Sequence, residues 1–244
     1  MTSTLRADTQ AVKTRVRDLV LLALTFSSGA ADAISFLALG GVFSAFMTGN
    51  VAFLGLRVAG ARSPDAWAIL TAMAAFAVGV YLSARIVKRS EGSCVWPKHV
   101  TVALGFSLIP HLLFVAVWSA TGGEPPLDAI RVLLGFWGLA MGMQSAAIRR
   151  LHVEGVFTTA ATATVIVLAS DLTAWSETAA ERRRLGGILL CLLAGATAGG
   201  LLLVHAHRYA PFLTIVVSAA ATATAWIFLR DREAPETGAT TRTA

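Results

Sequence analysis

A carboxylate in the middle of an apolar segment is the first candidate for chemistry. Asp32 lies in the run 19–39, and Thr25, Ser28 and Ser35 fall on its side of a helix, at spacings of three or four residues. An ionisable side chain inside a membrane is costly and usually faces a cavity or a partner. We therefore expect Asp32 to bind a cation or carry a proton, or alternatively to cap the loosened segment that follows or to pair with an arginine.

That following segment, GGVFSAFMTGN at residues 40–50, carries the next candidates. It interrupts an apolar stretch with glycines and with the polar residues Ser44, Thr48 and Asn50. In hydrocarbon every backbone N–H and C=O needs a partner, so irregular backbone survives only where protein or water surrounds it. We predict that Ser44, Thr48, Gly49 and Asn50 contribute to a substrate site.

A relative of this segment returns 114 residues later. Positions 32–54 match positions 146–168 without a gap and with nine identities: Ala33, Ile34, Leu37, Gly41, Val42, Phe43, Thr48, Val51 and Leu54. The match indicates a duplication in which repeat 1 covers about residues 15–120 and repeat 2 about 127–230. The second copy adds Thr158, Thr162 and Thr164 to the candidate substrate-binding residues, and the span before it adds Gln144 and Ser145.

The composition is that of a polytopic membrane protein. Of the 244 residues, 56% are hydrophobic and only 14% are charged, with mean hydropathy +0.69, whereas soluble domains carry roughly 25% charged residues. Six apolar segments are long enough to cross a hydrocarbon core of roughly 30 Å as helices. Two segments, 42–56 and 155–170, are shorter. The basic residues are scattered between the apolar runs, which argues against a nucleic-acid partner.

The distribution of Lys and Arg favours one of two topologies. If all eight segments cross, 13 basic residues lie inside and 7 outside; if the two short segments re-enter, 16 lie inside and 4 outside. The positive-inside rule favours the second arrangement. Each half then crosses three times, which inverts the second half relative to the first, as in many secondary transporters.

The predicted fold is therefore an all-α transmembrane bundle of two inverted repeats, with six full spans and two short re-entrant or broken helices. Residues 1–14 would form a cytoplasmic N-terminal tail, 15–230 a single transmembrane domain, and 231–244 a disordered, cytoplasmic C-terminal tail. The glycine stripe of the fifth span, Gly135, Gly138 and Gly142, is interpreted as a helix-packing surface, and Gly195 with Gly199 forms a GxxxG of the same kind.

The two short segments with their flanks resemble the YoaK family of bacterial membrane proteins, a family of unknown function. The resemblance rests on SGAADAISFLALGGVFSAFMTGNVAFLGL at 28–56 and GMQSAAIRRLHVEGVFTTAATATVIVLASDL at 142–172. The chain departs from the family pattern at Ser145, where Asn is usual, and at Ala163, where Gly is usual. The resemblance implies a bacterial integral membrane protein and implies no particular substrate.

The leading functional prediction is a small secondary transporter in the bacterial inner membrane, with its site near the midplane where the short segments meet. Its partners would be the lipid bilayer and an unidentified small solute, with proton coupling and a homodimer as options. We predict no catalytic residue, metal or cofactor, because the common nucleotide, metalloprotease and hydrolase motifs are absent from the sequence. The alternatives are a membrane enzyme or sensor that uses Asp32 and His111, and a scaffold subunit that does not transport.

Overall fold

The computed structural model describes residues 2–87, 95–151, 165, 169 and 179–229. Within these residues the chain is helical and contains no β-strand. The helices are α1 (Thr2–Ala38), α2 (Met47–Val58), α3 (Ala66–Ile86), α4 (Lys98–Ala120), α5 (Leu127–Arg149), α6 (Ala179–His205) and α7 (Ala210–Phe228), with a 3₁₀ turn at His207–Tyr209.

Among the described residues, five stretches of helix are long and apolar enough to cross a membrane. They are Asp8–Ala38, Ala66–Ile86, Lys98–Ala120, Arg183–His205 and His207–Phe228. α5 is as long as α4, but Asp128, Arg131, Arg149 and Gln144 make it less apolar, and much of it is buried between other helices. The predicted helical membrane bundle is thus confirmed in its class.

The directions of the helices follow from which residues face each other. Gly138 and Gly142 of α5 lie against Ala72 and Phe76 of α3, so these two helices run parallel. In the same way Gly195 and Gly199 of α6 lie against Phe26 and Ala30 of α1, so that pair is parallel too.

The other contacts are antiparallel. Phe114 of α4 stacks on Trp137 of α5, while the beginning of α4 meets the end of α5 in one buried cluster. Trp118, near the end of α4, contacts His207, just before α7. Ser27 of α1 bonds to α7 near its beginning, and the earlier part of α1 clusters with its end. Hence α1, α4 and α6 run one way and α3, α5 and α7 run the other.

Both parallel contacts depend on glycine. A Cβ added to Gly142 would collide with the carbonyl oxygen of Phe76, and one added to Gly195 would collide with that of Phe26. At Gly138 and Gly199 the added Cβ would lie 2.6 and 2.8 Å from a carbonyl oxygen of the partner helix. Small residues that let backbones approach closely drive helix association in membranes. The packing role predicted for Gly138, Gly142, Gly195 and Gly199 is therefore confirmed.

The helix contacts are the same for the two halves of the chain. The most extensive contacts are α3 with α5 and α1 with α6, followed by α1 with α7 and α4 with α5, and then α4 with α7. Exchanging α1 with α5, α3 with α6 and α4 with α7 leaves this set unchanged. The strongest contacts therefore join one half to the other.

Two local details of the helices go beyond the bounds of the apolar segments. The first short helix begins at Met47 rather than at residue 42, because residues 39–46 are irregular. α4 continues without a break through Pro110, where a proline usually interrupts the helical ladder. The second short segment, 155–170, lies outside the described residues apart from 165 and 169.

Candidate functional site

The irregular segment 39–46 leaves α1 and turns back into the bundle. Its two glycines, Gly40 and Gly41, both have φ of 80°, a conformation that residues with a Cβ rarely adopt. The side chains of Leu39, Val42 and Ala45 are at most 2% exposed and belong to the main hydrophobic core with α3, α4 and α5. Residues 39–65 therefore begin and end at the same end of the bundle, since α1 and α3 run in opposite directions.

Asp32 holds this segment against α1. Its Oδ1 accepts hydrogen bonds from the Ser44 N–H at 2.9 Å, the Ser44 hydroxyl at 3.1 Å and the Ala45 N–H at 2.7 Å. These donors lie immediately before α2, whose helix dipole places partial positive charge at its beginning. The capping role that the sequence offered as an alternative for Asp32 is thus present in the structure.

Asn50 holds the same segment from the other side. Its Oδ1 accepts from the Phe43 N–H at 3.0 Å, and its Nδ2 donates to the Phe43 carbonyl at 2.8 Å. The Asn50 side chain is fully buried. Both the oxygen and the nitrogen of the amide are therefore hydrogen-bonded to the backbone of Phe43, in the way that two residues of neighbouring β-strands exchange hydrogen bonds.

A group of phenylalanines surrounds this turn. The ring of Phe43 stacks on Phe36 at 4.9 Å between centroids and on Phe53 at 6.0 Å, and it meets the edge of Phe46 at 5.2 Å. Gly49 leaves room for the Phe46 ring, because a Cβ added to Gly49 would lie only 2.7 Å from that ring. Gly49 therefore serves this aromatic packing.

A cavity of about 430 Å³ lies between α1, the irregular segment and α6. Its lining is apolar and aromatic except for two side chains, Ser28 and Asp32. The Ser28 hydroxyl is fully buried and has no hydrogen-bond partner. The full lining is Ser28, Gly29, Asp32, Ala33, Phe36, Leu37, Phe43, Phe46, Leu192 and Ala196.

Asp32 has no basic partner within the described part of the chain. Ion pairs elsewhere in that part of the chain include those of Arg17 with Asp18 and of Arg131 with both Asp65 and Asp128. The lining of the cavity contains no Lys, Arg or His. The cavity therefore carries one acidic group and no compensating cation.

The remaining predicted residues lie in three different places. Thr48 is exposed on α2, away from the hydrogen bonds of the turn. Gln144 is buried and donates to the Leu24 carbonyl of α1 at 3.2 Å, while its Oε1 and the Ser145 hydroxyl have no partner. The structure thus groups Asp32, Ser44, Gly49 and Asn50, and leaves Gln144 and Ser145 on α5. Thr158, Thr162 and Thr164 lie outside the described residues.

Asp32 and His111 are not brought together. His111 is buried on α4, where its Nδ1 donates to the Ser107 carbonyl at 2.9 Å and its Nε2 has no partner. It does not line the cavity beside Asp32. The acid–base pair that the enzyme or sensor alternative requires has no support in this geometry. Within the described residues, moreover, no cluster of three His, Cys, Asp or Glu side chains could hold a metal ion.

The sequence analysis missed the aromatic side of the site. Phe36 lies one helical turn beyond Asp32, and Phe43 and Phe46 flank the residues that bind its carboxylate. The sequence pattern that could have indicated this is the presence of three phenylalanines around a polar turn. Phenylalanine is common in apolar membrane segments, so such a pattern is hard to distinguish from ordinary composition.

Comparison with known proteins places the chain in a family. The family model described as "Protein of unknown function (DUF1275)" matches residues 20–225. The UPF0700 transmembrane protein YoaK of Bacillus subtilis (strain 168) is 30% identical over 156 residues, which is 64% of this chain and 67% of that protein. No solved structure matches. This chain is therefore a multi-pass integral membrane protein that belongs to the DUF1275, or YoaK, family.

Proposed function

We propose that the protein is a small secondary transporter built from two inverted repeats, with six membrane spans and a binding site beside the broken segment 39–46. The observation that carries the proposal is the course of residues 39–65, which enter the bundle and leave it at the same end. Broken helices that line a cavity are the usual position of substrate sites in such transporters.

Two features support the inverted repeats. The contacts between helices keep their pattern when the halves are exchanged, and the corresponding helices α1 and α5 run in opposite directions. The basic residues of the described helices are also unevenly divided between the two ends of the bundle. Arg57, Arg62, Arg131 and Arg208 lie towards the end of the bundle where α1 finishes, and the other basic residues in the described part of the chain, which are more numerous, lie towards the opposite end. By the positive-inside rule the second end is cytoplasmic.

Topology can be tested with single cysteines in a background that lacks Cys94 and Cys191. Arg62→Cys should react with a membrane-impermeant maleimide from outside the cell, and Lys98→Cys only after the membrane is opened. The opposite result would contradict this topology, because it requires either that segment 42–56 crosses completely and the halves are parallel or that the whole bundle is inserted the other way round.

Transport itself can be tested without knowing the substrate. A transporter exposes its site alternately to both sides, so Ala33→Cys in the cavity should react with an impermeant thiosulfonate in right-side-out and in inverted vesicles. Ala140→Cys, fully buried in the core, is the matched control and should react in neither. Labelling of residue 33 from a single side only would contradict alternating access.

The scaffold alternative has one observation in its favour. The hydrogen bonds of the Asp32 and Asn50 side chains go to the irregular segment itself, apart from one from Asn50 to the Met47 sulfur at the start of α2. A protein that uses these residues only to hold its own fold would show single-sided labelling of residue 33, so the same experiment separates the two functions.

A further inference from the structure

We propose that the cavity beside Asp32 binds a hydrophobic organic cation, meaning an ammonium group on an apolar or aromatic body. This inference rests on the proposed function and names the substrate class of that site. It follows from the charge of the cavity, its aromatic lining, its unpartnered hydroxyl group and its size.

The carboxylate of Asp32 favours a positively charged ligand. Asp32 is the acidic residue in the cavity lining, and no basic residue lines it. Three of its hydrogen bonds come from Ser44 and Ala45 and end on Oδ1, and the Phe46 backbone N–H adds a further one. A carboxylate in an apolar site attracts a cation strongly because little water screens the interaction.

The aromatic and aliphatic lining of the cavity favours an organic ammonium ion over a metal ion. Phe36, Phe43 and Phe46 line the cavity together with Leu37 and Leu192. Aromatic rings attract ammonium groups through the negative face of the ring, and they also bury apolar surface. A bare metal ion would need several oxygen ligands, which the lining does not offer. An organic ammonium ion needs only one counter-charge and an apolar surround.

Ser28 supplies a further polar contact. Its hydroxyl is completely buried, has no partner and lines the same cavity one helical turn before Asp32. Buried polar groups are normally hydrogen-bonded, so an unpartnered one indicates a missing ligand or water.

Size and access fit the same class of ligand. The volume of about 430 Å³ lies within the roughly 300–1,000 Å³ range of small-molecule sites. The side chains of Phe36, Leu37 and Phe46, which line the cavity, are also exposed on the outside of the bundle. A hydrophobic cation dissolved in the membrane could therefore reach the carboxylate from the side.

The test is binding of benzyltrimethylammonium to the full-length protein in lipid nanodiscs, measured by equilibrium dialysis against empty nanodiscs. Neopentylbenzene, in which carbon replaces the charged nitrogen, is the matched neutral probe. We expect saturable binding of the cation that neopentylbenzene does not displace. Equal binding of the two probes would overturn the proposal and identify a site for lipid chains. Absence of saturable cation binding would overturn it outright.

Three variants locate the site. Asp32→Asn keeps an oxygen for the Ser44 and Ala45 donors but removes the charge, and we expect affinity to fall about tenfold or more, since hydrogen bonds and contacts to charged groups are the strong ones. Asp18→Asn, in the same helix but paired with Arg17, is the matched control and should bind normally. Phe46→Leu should weaken binding about two- to fivefold through the lost cation–π contact.

A fourth variant protects the test against misfolding of Asp32→Asn. Ala33→Phe adds a ring to the cavity lining and leaves Asp32 and its charge in the sequence, and it should abolish binding while the protein elutes as the wild type does. Unchanged binding in Ala33→Phe would place the cation elsewhere and refute the assignment. The binding assay does not depend on transport, so it tests this proposal separately from the proposed function. A protein that binds the cation but fails the two-sided labelling of residue 33 would be a receptor. A protein that passes the labelling but does not bind the cation would transport another class of solute.

Discussion

Replacing Asn50 with alanine should open the irregular segment locally. The variant removes both hydrogen bonds to Phe43 and leaves its N–H and carbonyl without partners. A buried polar group that loses its partner costs about 1–3 kcal/mol. Because these bonds are only part-buried, we take the lower half of that range and expect the two losses together to reach about 2–4 kcal/mol.

The assay is the labelling rate of a cysteine at position 45, which is 2% exposed, in a background without Cys94 and Cys191. Such a thiol reacts only when the segment opens, so the rate reports the local opening free energy. A loss of 2–4 kcal/mol corresponds to labelling about 30- to 700-fold faster than in the parent protein.

Thr48→Ala provides the matched control two residues away. Thr48 is exposed, and substitutions of that kind usually change stability by less than about 0.5 kcal/mol. The labelling rate should therefore change by no more than about twofold. If Asn50→Ala labels no faster than Thr48→Ala, the amide does not hold the segment and the reasoning from hydrogen bonds fails.

Three further predictions concern the packing of the halves. Gly142→Val places a side chain against a carbonyl oxygen of the partner helix. In a denaturing-detergent titration it should lower the free energy of unfolding by about 1–3 kcal/mol or more. Gly186→Val is the control, because the space around its Cβ position is open, and it should cost less than about 1 kcal/mol. Ser27→Ala removes a buried contact between α1 and α7 and should cost about 0.6–1.7 kcal/mol in the same titration. Fragments 1–122 and 123–244 should co-purify when expressed together and be degraded when expressed alone, because the strongest helix contacts join the halves; stable accumulation of one fragment by itself would contradict this.

The sequence predicted the helical class and the packing glycines well, because both depend on local composition. Hydropathy alone locates long apolar helices, and a GxxxG such as Gly195 with Gly199 has few other uses in a membrane. The sequence also singled out Asp32 and Asn50 correctly as unusual residues. In each case the signal was a residue type that is costly in hydrocarbon unless something compensates for it.

The partners of these residues could not be predicted with the same success. Asp32 bonds to backbone N–H groups of Ser44 and Ala45, and Asn50 bonds to the backbone of Phe43. Backbone groups are present at every position, so sequence gives no sign of which ones a side chain will reach. The cavity was equally hidden, because Leu192 and Ala196 come from the other half of the chain.

The pairing of the two halves of the chain also builds the cavity. Each half places its first long helix against the second long helix of the other half, as α1 lies on α6 and α5 lies on α3. The cavity beside Asp32 is therefore bounded by α1 and the broken segment of the first half and by α6 of the second. Any relative movement of the halves must change its shape at Gly29, where a Cβ would collide with the Leu192 carbonyl. A binding site built across such a contact is coupled to that movement by its position alone, which is the property that a transporter needs and a rigid scaffold does not.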